Sequence, residues 1–226
     1  MKLDLHVHTI NSIDSINTPS MIIKHALKKG LDGIAITDHD TLGGIDAVRD
    51  IAPEGFFVIP GAEYSTDFGH MLALFCDESA EHFDKSDEGL YSFNQIADFV
   101  RGEGGLLVAA HPLRYKRYLS IGSPYNMNPQ MLQRVDGIEC VNARDLQREV
   151  SAQSVIESCA EEYGLFVTGG SDAHLPMEIG GGYTEFPYCC NVEELKEALI
   201  AKKTTAHGIP GKKIYMAASR IWKVIR

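Results

Sequence analysis

Asp4-Leu5-His6-Val7-His8-Thr9 is the stretch whose reading decides the fold. Successive side chains of a strand alternate between its two faces, so His6 and His8 point the same way, one pleat apart. Two imidazoles held side by side on a stiff strand make half of a metal site. One His-x-His is a weak signal, but the pattern recurs outward along the chain. Thr37-Asp38-His39-Asp40, Gly61-Ala62-Glu63, His70, Ala110-His111-Pro112 and Ser171-Asp172-Ala173-His174 all fall at strand-like runs. Six of the nine histidines are used in this way, which points to a multinuclear metal centre.

Periodicity arranges the chain as repeated strand–helix units. Strand-like runs are expected at 3–8, 33–39, 56–63, 70–76, 106–111, 137–141 and 165–168. Thr18-Pro19-Ser20 opens a helix that Gly30 closes, and further helices are expected near 44–51, 92–101, 147–163 and 192–202. Seven strands with crossover helices predict an α/β fold, a closed or nearly closed barrel with its chemistry at the C-terminal strand ends. His6, His8, His39, Glu63, His111, Asp172 and His174 fall there. His70 begins its run and fits only if that strand is antiparallel, joined to the run ending at Glu63 by a hairpin-like loop.

A chain of 226 residues, 44% hydrophobic and 23% charged, predicts one globular domain over 1–226 rather than a disordered chain. It has no apolar run of the ~18 residues needed to span a bilayer. No signal peptide precedes the first histidine motif, so a cytoplasmic protein is expected. Five cysteines without C-x-x-C spacing (Cys76, Cys140, Cys159, Cys189, Cys190) read as reduced thiols. A net charge of −10 argues against a surface that coats nucleic acid. The segment 211–226, however, holds five basic residues and no acidic one. It reads as a last helix packing Ile214, Met216, Ile221, Trp222 and Ile225 on the barrel, with its basic residues in solvent. A contact for a phosphate-bearing polymer or another subunit is the sharper alternative.

Imidazoles and carboxylates without thiolates favour Zn, Mn or Fe. Two or three such ions, a few Å apart, need an anionic bridge, and Glu63, ending a buried strand, is the best candidate. Ions about 3.5–4 Å apart can share a hydroxide and clamp both oxygens of an in-line displacement, which suits phosphoester hydrolysis. Here the motifs Asp4–Thr9, Ile36-Thr37-Asp38-His39-Asp40, Gly61-Ala62-Glu63, Ala110-His111-Pro112 and Gly170-Ser171-Asp172-Ala173-His174 resemble the polymerase and histidinol phosphatase (PHP) family of metal-dependent phosphoesterases. The resemblance implies a distorted seven-stranded α/β barrel, TIM-like, with a trinuclear site. It implies that His6, His8, Glu63 and Asp172 hold one metal, that Glu63 bridges to a second held by His70 and His111, and that Asp14, His39 and His174 hold a third. Glu63, Asp172 and His174 would then stand closest to the chemistry.

Substrate phosphate needs further cations. Arg114, three residues beyond His111, offers a guanidinium fork, which the resemblance supports, and Arg144 is a second candidate. Asp4 and Asp38 read either as partners fixing histidine tautomers or as plain structural acids. His25 and His82 read as surface residues, and His207 as ambiguous. The first functional reading is hydrolysis of a small phosphomonoester, a nucleotide or sugar phosphate. Alternatives are a nuclease or phosphodiesterase acting on short oligonucleotides, a histidinol phosphatase, and a non-catalytic metal-stabilised module. Amidohydrolases also carry His-x-His on a first strand but commonly bridge their metals with a modified lysine, and no strand end here offers one.

Overall fold

The computed structural model describes residues 1–112, 128–145 and 153–225. Its elements run β1 (Lys2–Val7), α1 (Pro19–Lys28), β2 (Gly33–His39), α2 (Ile45–Arg49), β3 (Phe57–Thr66), β4 (Gly69–Leu74), α3 (Phe93–Gly102), β5 (Leu106–Ala109), α4 (Pro129–Leu132), β6 (Gly137–Asn142), α5 (Gln153–Tyr163), β7 (Phe166–Gly170), β8 (Gly182–Glu185), α6 (Val192–Ile200), β9 (Thr205–Gly208) and α7 (Lys213–Ile225). At the start of α1 the Thr18 side chain accepts from Met21 N at 3.3 Å and Pro19 takes the first turn, the arrangement its sequence predicts.

The described strands form one sheet in the order β7-β6-β5-β4-β3-β2-β1-β8-β9. β1, β2 and β3 are mutually parallel, as are β5, β6 and β7. β4 runs antiparallel to both its neighbours, so His70 reaches the same end as the other histidines. The sheet curls until its ends meet. Asp172 N donates to His6 O at 2.8 Å and His8 N to Ala173 O at 3.1 Å. The close approach requires glycine: a Cβ on Gly170 would stand 2.4 Å from the Cβ of His6. The result is the expected barrel-like α/β fold, with nine strands where seven are expected. The extra pair, β8 and β9, is short and partly exposed, and so lacks the apolar run that announces a buried strand.

Inside the barrel Leu3, Leu5, Ile59, Leu72 and Val108 pack with Leu195 and Leu199 of α6, forming an apolar plug beneath the mouth. On the outside, Val7, Ile34, Ile36 and Val58 pack with Ile22 and Ala26 of α1. Leu5 thus faces inward and Val7 outward, with His6 and His8 turned to the interior between and beyond them. A bulge makes this possible: β1 advances from Asp4 to Val7 while β2 advances only from Ile34 to Ile36. Such bulges re-aim side chains beside functional sites.

The last helix departs from expectation. Ile214, Ile221 and Trp222 are exposed rather than packed on the barrel, and among the described side chains of this helix Ser219 is the buried one. The side chains of Met216 and Ile225, expected to pack with them, lie outside the described ones.

Candidate metal centre

All nine sequence-predicted ligands converge on the mouth. Glu63 lies at the middle. Its Oε1 is 2.9 Å from His70 Nδ1, 2.9 Å from His111 Nε2 and 3.5 Å from His6 Nε2. Its Oε2 is 3.0 Å from His39 Nδ1 and 3.4 Å from His8 Nε2. One carboxylate therefore faces five imidazoles, the geometry a bridging anion needs. Register explains its position, because Glu63 pairs with His39 on β2 and its neighbour Ser65 pairs with His70 on β4.

Asp172 Oδ1 lies 3.7 Å from His6 Nε2, 3.5 Å from His8 Nε2 and 3.4 Å from His174 Nδ1. Asp14 Oδ1 lies 3.3 Å from His174 Nε2 and 3.5 Å from His39 Nε2. Three residues at the mouth hold left-handed backbone: Asp40 (φ 58°), His111 (φ 31°) and Asp172 (φ 56°). Non-glycine residues in this region carry strain that the surrounding structure must hold, and they cluster at functional sites.

The donor set fits metal ions. Ligand atoms sharing a tetrahedral ion through bonds of about 2.1 Å stand roughly 3.4 Å apart. His6 Nε2 and His8 Nε2 are 3.2 Å apart, and both meet Glu63 and Asp172 at similar spacing. Two buried carboxylate oxygens, Glu63 Oε2 and Asp14 Oδ1, have imidazole nitrogens at 3.0 and 3.3 Å but no aligned hydrogen bond from them, an arrangement that a cation would satisfy. Among the described residues four groups of three could each hold an ion: His8, His39 and His174; His6, His8 and Glu63; His6, His111 and Asp172; His39, Glu63 and His70. These groups share His6, His8, His39 and Glu63. Burial pushes the thiols of Cys76 and Cys140 up to about 12, so neither offers a thiolate.

The histidines are oriented from behind. His6 Nδ1 donates to Glu139 Oε1 at 3.0 Å, which leaves Nε2 for a cation. The other oxygen of Glu139 accepts from His111 N at 2.7 Å and from Asn142 Nδ2 at 2.9 Å. Glu139 escaped the sequence reading, although a lone acid inside the apolar run Gly137-Ile138-Glu139-Cys140-Val141 is the signal that marks it. Replacing it by glutamine is expected to weaken metal affinity or turnover by about 10–100-fold. Metal titration of the variant checks this, and wild-type affinity would remove Glu139 from the orienting role.

Asp38 acts on His8 at one remove. Ser12 Oγ donates to Asp38 Oδ1 at 2.6 Å and accepts from His8 Nδ1 at 3.1 Å. Asp4 instead accepts from Ser171 N and Gly180 N, each at 2.8 Å, tying down the loop that carries Asp172. Of the substrate candidates, Arg114 lies outside the described residues. Arg144 is buried behind His174 rather than open at the mouth. Its Nε donates to Glu178 at 3.1 Å, its Nη2 to Ser219 Oγ at 2.6 Å, and its Nη1 lies 2.7 Å from His174 Nδ1. His207 pairs with Glu185 at 3.0 Å, and Glu185 faces Lys2 at the opposite end of β1 from the histidines.

Comparison with known proteins agrees with this geometry. Residues 4–176 match the PHP domain family and residues 152–204 match a PHP-associated family. An uncharacterized protein of Methanocaldococcus jannaschii, MJ0417, is 31% identical over 188 residues, covering 82% of this chain and 70% of its own length. A 5'-3' exoribonuclease of Haemophilus influenzae is 31% identical over 126 residues, covering 54% of this chain and 38% of the enzyme. In fold, the chain is similar to a two-domain protein from Bacteroides vulgatus containing a predicted PHP-like metal-dependent phosphoesterase, with a TM-score of 0.74 and 20% identity over 98% of this chain and 69% of that one. The chain belongs to the PHP domain family.

Proposed function

We propose that this chain hydrolyses a small phosphomonoester, a nucleotide or sugar phosphate, at a centre held by His6, His8, Asp14, His39, Glu63, His70, His111, Asp172 and His174. One observation carries the reading. His6, His8, Glu63, His111, Asp172 and His174 are at most 3% exposed, whereas Asp14, His39 and His70 open to solvent at 18, 23 and 21%. Among the described residues the centre opens at this edge, which suits a terminal phosphoryl group entering end-on better than the middle of a polymer backbone.

Bound divalent ions, Zn, Mn or Fe, would supply a nucleophile near neutral pH and charge stabilisation for the phosphoryl group. The chain's own residues prepare the site. Glu63 keeps the imidazoles together, Glu139 and Ser12 hold His6 and His8 with Nε2 facing inward, and Asp172 adds negative charge opposite Glu63. A second reading, release of nucleotides from the end of a short oligonucleotide, is favoured by the likeness to the exoribonuclease and by the basic helix α7 beside the open edge.

The test is turnover by metal-loaded protein of nucleotides, sugar phosphates, histidinol phosphate and 5'-phosphorylated oligonucleotides, with inorganic phosphate and mononucleotides quantified separately. The expected result is inorganic phosphate from a monoester at a kcat/KM at least about tenfold above any oligonucleotide, a difference of about 1.4 kcal/mol. Mononucleotide release without free phosphate would transfer the assignment to the second reading. Arg114→Ala is expected to raise KM with a smaller change in kcat, the mark of lost phosphate binding, and steady-state kinetics on the preferred substrate checks it.

A further inference from the structure

Helix α7 reverses the usual pattern of a surface helix. Ile214, Ile221, Trp222 and Val224 stand 69, 61, 40 and 86% exposed, while among the described side chains polar ones meet the barrel. Tyr215, Ser219 and Lys223 recur every four residues and so share one face. Along this face Tyr215 lines a cavity of about 240 Å³ together with Arg144. Ser219 Oγ accepts from Arg144 Nη2 at 2.6 Å, and Lys223 Nζ stands 3.8 Å from Asp14 Oδ2. A helix docked by the hydrophobic effect turns its apolar stripe inward. This one turns a hydroxyl and an ammonium toward the centre, and it lies beyond both family matches, which end at residues 176 and 204.

We propose that Lys223 is a substrate-positioning residue whose ammonium binds a non-bridging oxygen of the phosphoryl group at the open edge. The inference rests on the reading of the centre as a phosphate-ester site. Reach supports it. The same Asp14 carboxylate that meets Lys223 through Oδ2 meets His174 Nε2 at 3.3 Å and His39 Nε2 at 3.5 Å through Oδ1. The ammonium therefore stands one carboxylate away from the cluster, on its solvent side.

Its looseness supports the same role. A spacing of 3.8 Å is long for a charge-assisted hydrogen bond, about 2.7–2.9 Å, and the side chain is 56% exposed. Lys223 is held near the mouth without being locked there, so it can turn to an incoming anion. Lys85 at the rim differs. It is fixed 2.9 Å from Asp40 Oδ2 and 4.6 Å above the Tyr91 ring, its charge already met. A mobile point charge adds more to a dianionic monoester than to a singly charged diester.

The experiment titrates full-length, metal-loaded protein with inorganic phosphate by calorimetry and measures p-nitrophenyl phosphate hydrolysis in parallel, with metal content checked for each variant. Lys223→Ala is expected to weaken phosphate binding and raise KM by about tenfold or more, while kcat stays within about threefold. Lys223→Arg should recover most of the affinity, and Lys24→Ala, an exposed lysine on α1, should match wild type. Equal phosphate affinity in wild type and a folded, metal-loaded Lys223→Ala overturns the proposal, as does a wild type that binds no phosphate. If wild type hydrolyses no phosphate ester, the functional reading fails. The calorimetry then still decides on Lys223: weaker phosphate binding by the variant upholds its role.

Discussion

Glu63→Ala is expected to abolish hydrolysis and strip the centre of most of its metal. In the folded chain burial pushes the Glu63 carboxyl up, but the charges of His70, His6 and His39 and the hydrogen bond with His111 outweigh it and hold it well below the usual carboxylate range. It is therefore an anion at every working pH. Removing it takes the negative charge from between five imidazoles and leaves any bound cations to repel one another across a buried, low-dielectric space. Loss of an outer partner of a metal ligand typically costs about 10–100-fold; loss of the residue touching most of the ligands should exceed that. Glu63→Gln separates charge from shape, since the amide fills the same space and still offers one oxygen. Both variants are expected to bind fewer ions by elemental analysis and to fall at least about 100-fold in kcat/KM. Full turnover by a metal-replete Glu63→Ala would remove Glu63 from the bridging position.

The residues that declared themselves in the sequence did so for a physical reason. Histidines and acids at the ends of apolar strands have no packing role, so His6, His8, His39, Glu63, His111, Asp172 and His174 are legible as a site before any fold is known. His70 was conditional on strand direction, and antiparallel β4 supplies that direction. What stayed hidden depends on tertiary contact. Glu139 orients His6 across 133 positions of chain, and no local spacing reveals such a pairing. β8 and β9 are too short and too exposed to carry a period. The bulge that turns His6 inward directly after Leu5 leaves no mark on composition. For α7 the sequence supplies the amphipathic pattern but not which face turns inward, and among the described side chains Ile214, Ile221, Trp222 and Val224 prove to be exposed.

The second large effect is on stability and follows from the protons that stand in for cations in metal-free protein. Burial lowers the pKa of His39, but Glu63 and Asp14 outweigh it and raise it from 6.5 to about 9. His6 is likewise raised well above its ordinary value, burial being outweighed by Glu139, Glu63 and Asp172. A histidine whose folded pKa is raised contributes stability that is fully present below the unfolded value and lost as pH rises through the folded one. For His39 the loss runs from about pH 6.5 to 9 and is on the order of 3 kcal/mol. The melting temperature of chelator-treated protein should therefore fall by roughly 6–12 °C over that interval. Metal ions compete for the same nitrogens and bind more tightly as the protons leave. Metal-loaded protein should accordingly show a flat or rising melting temperature, and the gap between the two forms should widen with pH. Parallel melts with chelator and with Mn or Zn at pH 6, 7, 8 and 9 measure both trends. A metal-free protein that melts no lower at pH 9 than at pH 6.5 would mean that the imidazoles are not charged by Glu63, and the electrostatic account of the centre would fall with it.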